Sequence, residues 1–81
     1  MENNKPVKEF KAGMIKASVW ENVKKKDNGE EYKTFSITLT KSYKVDEEWK
    51  TTNSFQYNEV PKAVIVMTEA YKFIATGEYK E

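Results

Sequence analysis

The chain reads as an α+β domain: an antiparallel β-sheet of three to four strands followed by one C-terminal amphipathic helix packed on one face. Three observations predict it. Apolar and polar residues alternate over Met14 to Val23 and again over Tyr32 to Tyr43, the period of half-buried strands. An Asn28-Gly29 pair, a strong hairpin signal, lies between them. From Val60 the apolar spacing changes to four and three residues, which is the repeat of a helix.

Residues 1–9 hold Asn3, Asn4 and Pro6 and little to bury, so they are expected to form a flexible lead, with residues 10–81 as a single α+β domain. Residues 7–12, VKEFKA, are the candidate for a short extra strand. In the first secure strand Ile15, Ala17 and Val19 share one face, and Lys16, Ser18 and Trp20 the other. The second sets Phe35, Ile37 and Leu39 against Thr34, Ser36, Thr38 and Thr40.

The loop between these strands decides which faces meet. A two-residue Asn-Gly turn would place the apolar residues of one strand beside the hydroxyls of the other. A three-residue loop, Asp27-Asn28-Gly29 with glycine left-handed, sets Val19 across from Ile37 and Ala17 across from Leu39. Because a slip of one residue turns a strand over, the three-residue loop is the expected one. It also places Trp20 opposite Ser36, Lys16 opposite Thr40 and Lys24 opposite Tyr32.

A third strand is expected over Trp49 to Tyr57, with Trp49, Phe55 and Tyr57 inward. Trp49 would then face Tyr43, and Phe55 would face Ile37. The connection Val45-Asp46-Glu47 has no glycine to set its length, and an offset of one residue there would exchange the strand's faces. Asn58 can cap the helix, Glu59 suits its positive end, and Pro61 fits its first turn. Val60, Val64, Met67, Tyr71 and Ile74 form the expected inward stripe, and Gly77 the stop. Beside them runs a second apolar stripe, Ala63, Val66, Ala70 and Phe73, whose two alanines would admit a second helix. These four residues are the expected interface of a homodimer.

With 81 residues the chain is one small domain, of a size at which folding buries only ~60% of the unfolded surface and oligomerisation adds stability. It has no cysteine and no histidine, which removes disulfides, thiol chemistry and the usual general base near neutral pH. Enzymatic function is disfavoured, and no cofactor or metal is implied. Asp46, Glu47 and Glu48 lack the spacing of a hard-metal loop and read as a solvated turn. The polar N-terminus and the short apolar run Ala63 to Met67 give no sign of export or of a membrane span, so a cytoplasmic location is expected.

The net charge of +1 hides an asymmetry. Residues 1–44 carry ten lysines and six acids, and residues 45–81 four lysines and seven acids, so the strands are basic and the helical end acidic. All fourteen basic residues are lysines, so the chain lacks the arginine fork that reads guanine or phosphate in two bonds.

The polar parity of the strands is the candidate site. Lys16, Ser18, Trp20 and Lys24, then Tyr32, Thr34, Ser36, Thr38 and Lys44, then Lys50 and Thr52 are expected on one sheet face without an interior carboxylate, with Lys26 at the hairpin tip. Such a face suits a polyanion. Lys16, Lys24, Lys26, Lys44 and Lys50 would meet phosphates, Trp20 and Tyr32 would stack on bases, and the hydroxyls of Ser18, Thr34, Ser36, Thr38 and Thr52 would hydrogen-bond. Threonine and serine also keep a merely solvated sheet soluble. The rival expectation is therefore a protein-interaction module that docks through the broad apolar helix face.

The segments GMIKASVWEN, EYKTFSITLTKSYK, EWKTTNSFQY and NEVPKAVIVMTEAYKFI together resemble the Whirly and positive-cofactor-four type of single-stranded-DNA-binding fold. That resemblance implies strands before a helix, dimerisation largely through helices, and non-enzymatic binding of single strands by the outer sheet surface. Single-stranded DNA or RNA is the expected partner.

Overall fold

The computed structural model describes residues 5–80. Four strands form one antiparallel sheet in the order β1-β2-β3-β4: β1 Lys8–Ala12, β2 Ile15–Lys25, β3 Glu31–Val45 and β4 Glu48–Thr52. A 3-10 turn, Tyr57–Glu59, leads into α1, Val60–Ala75, and a further 3-10 turn, Glu78–Lys80, follows it. The short extra strand is present as β1. It takes in Lys8 and Glu9, which the sequence pattern leaves in the N-terminal lead; residues 1–4 of that lead lie outside the described residues.

Each hairpin is closed by residues that can adopt positive φ. Gly13, at φ 63°, opens the two-residue β1–β2 turn, where a residue without Cβ carries no steric penalty. The β2–β3 loop is the expected Asp27-Asn28-Gly29: Lys26 N–H donates to the Glu30 carbonyl at 2.8 Å, Gly29 N–H donates to the Lys26 carbonyl at 3.0 Å, and Gly29 has φ 91°. The resulting register pairs Val19 with Ile37, Ala17 with Leu39 and Trp20 with Ser36.

The β3–β4 register differs from the expected one. Asp46 and Glu47 make a two-residue turn with both φ values positive, 50° and 72°. It pairs Val45 with Glu48, Lys44 with Trp49, Tyr43 with Lys50 and Lys41 with Thr52. Trp49 and Thr51 therefore share the outer face with Lys44 and Ser42, and Lys50 and Thr52 turn to the face that carries the helix. The sequence pattern has this strand one residue out of phase.

The core lies between β2 and α1. Ile15, Ala17 and Val19 meet Ala63, Val66 and Ala70, with Phe10, Ala12, Phe35, Ile37, Leu39, Phe55, Phe73 and Ile74 packed around them. Burying a side chain the size of Val66, 2% exposed, contributes ~1.5–3 kcal/mol. The two helix stripes are thus exchanged relative to expectation. Ala63, Val66 and Ala70 face the sheet and cannot form a dimer interface; Phe73 sits edge-on to Phe10, its ring centroid 6.1 Å away. Val60, Val64, Met67 and Tyr71 are exposed instead, and of that stripe only Ile74 packs against the core. The alanines explain the exchange, because their small side chains let the helix backbone approach the sheet closely.

Helix and sheet are latched at the helix N-terminus. Lys41 Nζ, on the inner face of β3, donates to Glu59 Oε1 at 2.9 Å and Oε2 at 3.1 Å. Gln56 N–H donates to the same carboxylate at 2.7 Å. Gln56 and Glu59 therefore organise the entry that the sequence pattern assigns to Asn58. At the other end Gly77, φ 78°, stops the helix, and Tyr79 folds back onto Phe35 with ring centroids 4.5 Å apart. Among the described residues no helix is long and apolar enough to cross a membrane.

β3 is the spine. Its fifteen residues span ~50 Å at ~3.3 Å each, which matches the longest dimension, 51 Å. β2 pairs with residues 31–41 along one edge and β4 with residues 41–45 along the other, overlapping only at Lys41. The two hairpin tips thus project from opposite ends of the molecule.

Candidate nucleic-acid interface

The face away from α1 is built in cross-strand rows. Lys11, Lys16 and Thr40 form one row, and Glu9, Ser18 and Thr38 the next. Trp20 with Ser36, Asn22 with Thr34 and Lys24 with Tyr32 continue it along the β2–β3 arm. Ser42 with Thr51 and Lys44 with Trp49 extend it along the β3–β4 arm. Ten of the expected site residues share this surface: Lys16, Ser18, Trp20, Lys24, Tyr32, Thr34, Ser36, Thr38 and Lys44 on the strands, and Lys26 at the hairpin end.

Three features of the face depart from the sequence pattern. Lys50 and Thr52 leave it, and Thr52 Oγ1 accepts the Ser54 N–H at 3.1 Å on the far side. Ser18 is on the face by register but only 3% exposed, so its hydroxyl is not a free surface donor. The face also carries a carboxylate, because β1 adds Glu9 beside Lys16 with Oε2 3.2 Å from Nζ. The same strand contributes Lys11 directly across from Lys16. Two like charges in one row repel, and a bound anion would relieve that repulsion.

The two tryptophans differ. Trp20 is half-buried, and its indole Nε1–H donates to Thr38 Oγ1 at 2.9 Å, which fixes the ring across β3. Trp49 is 60% exposed, with Lys44 Nζ 5.9 Å from its ring centroid. Tyr32 has Lys26 Nζ 6.0 Å from its centroid, and Lys26 also lies 3.7 Å from Glu30. Each arm of the face therefore ends in an exposed aromatic ring with an ammonium beside it, Tyr32–Lys26 at one end and Trp49–Lys44 at the other.

Sequence reasoning missed two residues of this face, Lys11, carried by the faint strand β1, and Trp49. The signal for Trp49 was the length of the β3–β4 turn: if Asp46 and Glu47 are its only central residues, Lys44 must pair with Trp49. Comparison with known proteins adds no assignment, since no family model, curated protein or solved structure matches the chain.

Proposed function

We propose that this chain is a non-enzymatic, cytoplasmic binder of single-stranded DNA or RNA with little sequence preference, using the face away from α1. The observation that carries the reading is the arrival of Trp49 and Lys44 on the surface that already holds Trp20, Tyr32, Lys11, Lys16 and Lys24. Exposed rings offer sequence-tolerant stacking, and lysines meet the backbone as point charges. Without arginine the face has no bidentate reader of guanine. Strands followed by one helix, as here, is also the element order implied by the Whirly and positive-cofactor-four resemblance.

The test is titration of tryptophan fluorescence with single-stranded oligonucleotides at two salt concentrations. Quenching that weakens with salt is expected. Trp49→Ala should reduce affinity by ~1–3 kcal/mol, the value of one stacked base. A second reading, a protein-interaction module docking through α1, is favoured by the exposed Val60, Val64, Met67 and Tyr71. A fluorescence response that is flat at both salt concentrations would select it over the first.

A further inference from the structure

We infer that the outer face takes a single strand lengthwise along β3, one ligand bridging the Tyr32–Lys26 end and the Trp49–Lys44 end. This rests on the nucleic-acid reading above and adds to it a direction and a minimum length. Both ends are set by the same strand: Tyr32 belongs to β3, and Trp49 lies directly across from Lys44. The span between positions 32 and 44 is ~40 Å at ~3.3 Å per residue. A ligand lying crosswise would meet one end at most, since the second dimension of the molecule is only 26 Å.

Between the two ends every outward position of β3 carries a hydroxyl: Thr34, Ser36, Thr38, Thr40 and Ser42. Side chains on one face of a strand recur every ~6.6 Å. An extended, unstacked nucleic-acid strand advances by about twice its stacked rise of ~3.4 Å per nucleotide, which is nearly the same repeat. The row of hydroxyls is therefore in step with a ligand drawn out along β3. Thr38 accepts the Trp20 indole N–H and so holds that half-buried ring midway along the row.

The flanks of this line suit a polyanion. On one side β2 supplies Lys24 across from Tyr32 and Lys16 across from Thr40, and it separates β3 from Glu9 on β1. On the other side residues 31–40 have no strand neighbour, because β4 reaches back only to the Lys41–Thr52 pair. Sugars and bases have room there. The right-handed twist of a long strand turns its face progressively, so the bound ligand winds about β3.

Two anchors joined by one ligand raise affinity by ~10²–10⁴-fold over either alone, once the ligand reaches both. At full extension about six nucleotides cover the ~40 Å and four cover only ~27 Å, whereas twelve cover it even when stacked. Labelled oligothymidylates of four and twelve nucleotides, followed by fluorescence anisotropy at low salt, test the bridge. Wild type should bind one twelve-mer per chain, at least ~10²-fold more tightly than the tetramer. Tyr32→Ala and Trp49→Ala remove exposed rings, and each should weaken the twelve-mer ~10- to 100-fold, the value of one stacked base. The tetramer occupies only the tighter end, so it should respond to no more than one of the two variants. A twelve-mer indifferent to either ring, or a tetramer that depends on both, overturns the bridge while binding itself stands. No binding at either length overturns the nucleic-acid reading and the bridge with it.

Discussion

Asp46 and Glu47 control the site from a distance. Both hold left-handed backbone angles, a conformation that costs a residue with a Cβ roughly 1–2 kcal/mol. Glycine at position 47 would remove that cost but would lose ~0.5–1 kcal/mol through its freer unfolded chain. Glu47→Gly is therefore expected to stabilise the protein by ~0.5–1 kcal/mol net, read as a higher urea midpoint with unchanged slope. The lost ion pair to Lys44 matters little, since its atoms are 3.9 Å apart and Glu47 is almost fully exposed. A lower midpoint would show that the turn is not held as described. This same turn hides Trp49 from the sequence: two acidic residues carry no signature of positive φ, whereas Asn28-Gly29 announces its own loop and with it the position of Trp20.

At the scale of elements, the attachment of α1 to β3 depends on one carboxylate. The hydrogen bond from Lys41 is the main reason that the Glu59 pKa lies below the ordinary glutamate range, and the Gln56 backbone N–H adds to it. A carboxyl group whose pKa is depressed by folding contributes stability above its unfolded pKa and loses it as pH falls through the folded one. Glu59→Gln should therefore be less stable than wild type at neutral pH, and the gap should close on acidification through the lowered Glu59 value. Thermal melts of both proteins across the acid range test this, and a gap independent of pH would remove the ionic latch. The strands and their order with the helix are legible in the sequence because periods of two and of three to four are hard to confuse. Which helix stripe faces the sheet is not. Val60-Val64-Met67-Tyr71 and Ala63-Val66-Ala70-Phe73 are adjoining stripes, and periodicity treats them alike; close approach to β2 selects the alanines, which total hydrophobicity ranks lower. β1 was faint for a related reason, since only Phe10 and Ala12 of its five residues pack against the core.

For the whole molecule, charge placement matters more than the near-zero sum. Lys11, Lys16, Lys24 and Lys44 share the outer face with Glu9 as the carboxylate among its strand rows, whereas Asp46, Glu47 and Glu48 gather at the β3–β4 hairpin end beside Lys44. Lys11, Lys24 and Lys44, each displacing a counterion from a single strand, give log K against log salt a slope of about −2. The Glu9 carboxylate, 3.2 Å from Lys16, competes with phosphate for that ammonium. Glu9→Gln should therefore tighten binding at low salt and steepen the slope by ~0.7, the contribution of one freed lysine. A slope near zero would return the hydroxyl-rich face to the role of a solvated surface.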